Sequence, residues 1–152
     1  MNNTNQAGSG ERELLRTLAN FRYELRKFLH FSEHAAAEAG LHPQQHQLLL
    51  QVAGAAAGTA VTIAYAAERL GLKHNSTVEL VNRSEREGLL ERKEDTTDRR
   101  RANLRLTRRG ERVLKGLSAE HARELGEQAP RLALALARIK KHGRRGAGVE
   151  TG

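Results

Sequence analysis

The chain has 152 residues, 38% of them apolar and 3% aromatic, a formal net charge of +8 and no cysteine. That length suits one domain whose modest core favours oligomerisation, and the lack of cysteine excludes disulfides, Cys-bearing zinc sites and thiol redox sensing. A pI near 10.6 points to a polyanionic partner, nucleic acid before an anionic membrane; with neither a run of roughly 20 apolar residues nor a secretion signal at the N-terminus, a cytoplasmic protein with no membrane association is expected.

Residues 1–10, rich in Asn, Gly, Ser and Thr, are expected to be disordered. A long helix follows from Glu11 to about Gly40, because Leu14, Leu18, Phe21, Leu25, Phe28 and Ser32 recur at three- and four-residue steps and Leu15 and Leu29 widen the stripe. All three phenylalanines of the chain lie on it, so aromatic burial is concentrated there. Pro43 at a first helical position starts a buried helix through Leu48, Leu49, Leu50 and Val52 that stops at Gly54. Gly54 to Ala60, rich in glycine and alanine, reads as a flexible loop.

Thr62 can N-cap a helix through Ile63, Ala66, Ala67 and Leu70, which Gly71 ends in the left-handed conformation before Leu72 returns to the core. A second helix runs from about Asn75 to Glu87, with Ser76 and Glu79 at capping-box spacing and Gly88 at its end. At the helical period of about 100° per residue, Thr77, Leu80, Val81, Ser84 and Gly88 share an inner arc. The outer arc holds Asn75, Ser76, Glu79, Asn82, Arg83 and Arg86, polar groups that can meet base edges and phosphates. A solvated helix face would explain such an arc in most proteins, but the next segment argues for nucleic acid.

Leu89 and Leu90 open a strand, Asp95-Thr96-Thr97-Asp98 makes a polar turn, and Leu104 and Leu106 alternate with Asn103 and Arg105 on the way back. The hairpin tip and outer face carry Arg99, Arg100, Arg101 and Arg105, continuing to Arg108 and Arg109, more positive charge than a fold requires. Asp98 and Arg100 stand two apart, so on an extended segment the carboxylate can fix the guanidinium's direction. Thr107 can cap a helix through Val113, Leu114, Leu117, His121 and Leu125, broken before Pro130. A last helix carries Leu132, Leu136 and Ile139 on one side and Leu134 on another, which a monomer cannot bury and a symmetric dimer can. From Lys140 to Arg145 the chain is basic, and residues 143–152 are expected to be a disordered tail.

These residues resemble the winged helix-turn-helix of the MarR (multiple-antibiotic-resistance regulator) family. The resemblance is carried by Glu68-Arg69-Leu70-Gly71-Leu72, Leu80-Val81-Asn82-Arg83, Glu85-Arg86-Glu87-Gly88-Leu89, and an acidic-x-Arg tip, Asp98-Arg99-Arg100, running into Leu106-Thr107-Arg108-Arg109-Gly110. It implies a mainly α fold with a small β-hairpin wing, in which a winged helix-turn-helix over 43–106 joins dimerisation helices over 11–40 and 107–142 in one domain of 11–142. It further implies that the second helix enters the major groove, that Arg100 enters the minor groove braced by Asp98, and that a homodimer binds a palindromic double-stranded operator as a repressor. A small ligand resembling an aromatic acid would release it, with Arg22, Arg26, Phe28 and His46 as candidate pocket residues. Three positions depart from the family pattern: Ser84 replaces a buried leucine, Lys73 a capping serine, and Glu79 a small polar or basic residue.

Catalysis finds no support: there is no phosphate loop after a strand, no nucleophile elbow and no carboxylate pair in a catalytic setting. The protein is expected not to be an enzyme and to need no cofactor. His30 with His34, and His42 with His46, have the four-residue spacing that lets two imidazoles share a metal, with Glu24, Glu33 and Glu38 to complete a site. Without a flanking motif such pairs are more often solvated or hydrogen-bonded, and no metal is assigned. The alternatives to a specific regulator are a low-specificity architectural DNA binder, a metal-responsive regulator using those histidines, or an interaction module whose winged domain has lost DNA.

Overall fold

The computed structural model describes residues 3–98 and 102–146, with helices α1 (Asn3–Glu38), α2 (Pro43–Ala53), α3 (Ile63–Leu70), α4 (His74–Arg86) and α5 (Arg108–Gly146), and strands β1 (Leu90–Glu94) and β2 (Ala102–Leu106). The chain divides into two compact units, residues 1–31 with 121–152, and residues 32–120.

In the first unit α1 and α5 meet through polar as well as aromatic contacts. Arg131 Nε lies 3.2 Å from Glu24 Oε2, and Lys27 Nζ lies 3.3 Å from the same oxygen. The His121 ring takes Phe28 and Phe31 edge-on, with centroids 5.8 and 5.2 Å away, an arrangement that sets a positive ring edge against a negative face. Much apolar surface stays uncovered here: Leu15, Leu18, Tyr23 and Leu29 on α1 and Leu125, Leu134 and Leu136 on α5 are exposed.

Both long helices exceed their expected ends. α1 begins at Asn3 rather than near Glu11, since adding residues to a nucleated helix costs little and Gln6 and Ala7 are good helix formers. α5 is one helix through Pro130 to Gly146, so the expected break before Pro130 and the disorder from residue 143 are both corrected over the described residues. Pro130 is exposed, where the Gly126 carbonyl that loses its donor can turn to water.

The second unit is built as its sequence dictates. His42 caps α2: its Nδ1 accepts from Gln44 N at 3.3 Å while its own N–H donates to Gln45 Oε1 at 2.9 Å, a reciprocal capping box ahead of Pro43. Thr62 Oγ1 accepts from Tyr65 N at 3.2 Å at the start of α3, and Gly71, with φ of 64°, ends it. Leu48, Leu49, Val81, Leu89, Leu90 and Leu104 form the core. β1 and β2 pair antiparallel in the register Leu90 with Leu106 and Arg92 with Leu104. Leu104 N also donates to Val61 O at 2.8 Å, which ties the lead-in to α3 onto the hairpin.

Beyond the hairpin, Thr107 opens α5 as expected: its Oγ1 accepts from Gly110 N at 3.1 Å and donates to Gly88 O at 2.6 Å. No helix among the described residues is long and apolar enough to cross a membrane.

Candidate nucleic-acid interface

The inner arc of α4 is as the periodicity placed it: Thr77, Leu80, Val81 and Ser84 are buried. Its start differs. The helix begins at His74 with Lys73 as N-cap and no side-chain cap bond, so the expected Ser76–Glu79 capping box does not form. The physical reason is that Ser76 and Glu79 already lie inside the helix, Ser76 three positions past the N-cap that such an exchange requires, and Thr77 Oγ1 instead donates back to Lys73 O at 3.0 Å.

Ser84, buried on the inner arc, is satisfied twice. Its Oγ donates to Leu80 O at 2.8 Å and accepts from Gln45 Nε2 at 3.5 Å. The same Gln45 nitrogen donates to Glu87 Oε2 at 2.7 Å, and Gln45 is fully buried. A polar knot thus links the start of α2 to the end of α4. Arg83 Nε donates to the other Glu87 oxygen at 3.1 Å.

The hydrogen bonds from Gln45 and then Arg83 hold the Glu87 carboxyl below its ordinary value of 4.5, outweighing the effect of burial. A depressed carboxylate contributes stability above its unfolded pKa and loses it as pH falls through the folded one. Glu87→Gln is therefore expected to be less stable than the parent near neutrality, with the gap closing as pH drops through 4.5 and below, read from denaturant midpoints along a pH series.

On the outer arc, Asn75, Ser76, Glu79, Arg83 and Arg86 are exposed and Asn82 is half-buried. Two of these expected base readers are held by other side chains: Arg83 by Glu87, and Asn82, whose Oδ1 accepts from Arg92 Nη2 of β1 at 2.7 Å. Arg92 Nη1 also donates to Glu85. On the hairpin, Arg105 is paired with its register partner Glu91, so its charge is partly compensated. Arg109 Nη1 donates to Glu87 O at 2.8 Å. Asp95 Oδ1 accepts from Thr97 N and Thr97 Oγ1, closing the expected polar turn, and Asp98 is exposed. Arg99, Arg100 and Arg101 lie outside the described residues, and with them the expected brace from Asp98 to Arg100.

Arg22, Arg26 and Phe28 belong to the first unit, the two arginines exposed and Phe28 against His121, whereas His46 is buried in the second. A cavity of about 350 Å³ in the first unit is lined by Thr17, Asn20, Tyr23, Glu24, Arg131 and Arg138 among others. One of about 680 Å³ in the second includes Val52, Glu91, Arg105, Arg108 and Glu111. None of the four expected pocket residues lines either cavity. Among the described residues no three His, Asp or Glu side chains converge on a metal position. His34 instead faces Glu38 at 3.3 Å, and His42 is spent on its cap.

Residues 39–101, the span from the end of α1 into the hairpin, match the model of the MarR family. Solved structures of the same fold extend the match over both long helices. The PcaV transcriptional regulator of Streptomyces coelicolor is 27% identical with a TM-score of 0.54, the alignment covering 82% of this chain and 92% of that one. CouR of Rhodococcus jostii, solved bound to p-coumaroyl-CoA, is 21% identical with a TM-score of 0.63, covering 83% and 87%. A MepR mutant of S. aureus, solved bound to an oligodeoxyribonucleotide, is 18% identical with a TM-score of 0.61, covering 80% and 94%. No curated protein sequence matches significantly. The mainly helical MarR architecture with its two-stranded wing is the fold of this chain.

Three residues of the interface escaped the sequence reading: Gln45, Glu87 and Arg92. A signal for Arg92 was present. It stands two residues after the core residue Leu90, so the strand's period of 2 aims it at the same face, toward α4. Gln45 carried no such mark, since a glutamine in a helix's first turn is ordinarily solvated.

Proposed function

We propose that this chain is a MarR-type, dimeric, sequence-specific regulator of transcription that binds double-stranded DNA as a repressor and is released by a small ligand resembling an aromatic acid. The observation that carries the reading is the exposed polar row of α4 beside a strongly basic hairpin in a chain of net charge +8. The DNA-bound MepR and ligand-bound CouR structures support the two halves of the proposal. Homodimerisation is supported by the leucines left exposed on α1 and α5, and would set two reading heads about one turn of DNA apart on a palindrome. No catalytic step is assigned, and action in the cytoplasm follows from the substrate.

In this reading Asn75, Ser76, Asn82 and Arg83 face base edges, Glu79 and Arg86 border them, Arg100 enters the minor groove, and Arg99, Arg101 and Arg105 neutralise phosphate. Selection of bound duplexes from a genomic pool, followed by titration at two salt concentrations, is expected to yield a palindrome with half-sites about 10 base pairs apart and a clear preference over scrambled DNA. Steeply salt-dependent binding with no consensus would replace the regulator with an architectural binder. Arg100→Ala is expected to weaken binding to selected and scrambled duplexes alike, by roughly tenfold or more, and to lower the salt slope by about one. An unchanged affinity on both would remove Arg100 from the interface.

A further inference from the structure

Arg92 is bound at two points on one side of α4. Its Nη2 is 2.7 Å from Asn82 Oδ1 and its Nη1 donates to a Glu85 oxygen, and the two acceptors stand three residues apart, neighbours on a helix surface. The guanidinium has donors only, so the Asn82 atom facing it is the carbonyl oxygen and the amide's orientation is fixed. Glu85 compensates the charge, and the Arg92 side chain is 29% exposed. An arginine so placed is poorly suited to neutralise a phosphate.

The consequence concerns what Asn82 can read. An asparagine that recognises adenine presents oxygen and nitrogen side by side, accepting from the base's amino group while donating to N7. In this chain the oxygen is turned toward the hairpin, which leaves the NH₂ group as the end available to the groove. Two donors and no acceptor match the paired O6 and N7 acceptors of guanine and mismatch the amino group of adenine.

We propose that Arg92 is a positioning residue that determines sequence preference: by holding the Asn82 carbonyl against the wing strand it makes Asn82 a donor-only reader of guanine. The inference rests on the DNA-binding reading given above. It assigns Arg92 no contact with DNA, which separates it from the basic residues of the hairpin tip.

The test begins with the duplex selected by the parent protein, with guanine and adenine exchanged at each half-site position and binding followed by fluorescence anisotropy. One position is expected to favour guanine by about tenfold and to lose that preference in Asn82→Ala. Arg92→Met, which keeps the aliphatic stem but removes the donors, is expected to shift the same position toward adenine with the salt slope unchanged. Arg92→Lys retains the charge but replaces the planar fork, whose two nitrogens reach the two acceptors separately, by a single ammonium on a shorter stem, so it is expected to show the same shift; thermal melts of both variants establish that they are folded. A uniform loss of affinity with a shallower salt slope would make Arg92 a phosphate contact and overturn the proposal. So would an adenine preference at the Asn82-dependent position in the parent, or a guanine preference that both Arg92 variants keep. If the parent selects no sequence at all, the regulator reading itself fails and this inference falls with it, an outcome visible before any variant is made.

Discussion

Alanine at Gly110 is expected to destabilise the winged unit by about 3 kcal/mol. A Cβ on Gly110 would sit 2.0 Å from the backbone oxygen of Leu89 and 3.0 Å from its carbonyl carbon, far inside contact distance. The obstructing atoms belong to the backbone and are themselves pinned, because Leu89 O accepts from Thr107 N at 3.1 Å and the neighbouring Gly88 O accepts from Thr107 Oγ1. Retreat of the strand would break the cap of α5, and retreat of α5 would open the core around Leu114 and Leu117. The glycine of the Leu-Thr-x-x-Gly sequence is thus the point where the helix can touch the strand. Denaturant midpoints should fall with little change in slope, and the melting temperature should drop by roughly 10 °C. Gly116→Ala is the control: nothing lies within 4 Å of its Cβ, so it should stabilise the helix slightly. Equal behaviour of the two variants would refute the steric account.

The second large effect is expected from charging the uncovered leucines of α5. Leu125 and Leu136 stand three turns apart on one side of the helix, 38% and 53% exposed, and Leu15, Leu18 and Leu29 form a similar row on α1. Such rows are costly in water, and a partner copy burying them is the proposed dimer. With aspartate at both Leu125 and Leu136, sedimentation should report a monomer. Affinity for a palindrome should fall by about two to four decades, since the second half-site would no longer be engaged within one molecule. Affinity for an isolated half-site should stay nearly constant. A variant that still sediments as a dimer would place the subunit interface elsewhere.

Which parts of this were legible in the sequence follows from how local each signal is. Thr62, Gly71, Gly88 and Thr107 act on residues within a turn of themselves, and their caps and left-handed stops are where spacing put them. The buried arc of α4 and the alternation of β1 and β2 follow from periods of 3.6 and 2. Pro130 misled because its penalty was weighed as if the carbonyl it strands were buried, whereas Gly126 and Pro130 are both exposed and that carbonyl can turn to water. The partners of Asn82, Arg83 and Arg105 were out of reach for a related reason: a helix wheel shows that a side chain faces outward, but not that Arg92, Glu87 or Glu91 is waiting there. Gln45 and Glu87, far apart in sequence, show the same limit, since their bond exists only once α2 and α4 have packed.

The segment between α2 and α3 has a use that its bland composition conceals. It is fastened at both ends, by Gly54 N on Leu50 O at 2.9 Å and by Val61 O receiving Leu104 N, while residues 56–60 between them are exposed. With both exits clamped, a doubling of the intervening length should cost only about 0.6 kcal/mol of closure entropy. The chain therefore offers a port into which a fluorophore-bearing or affinity peptide could be spliced, reporting on the reading head without touching α4 or the wing.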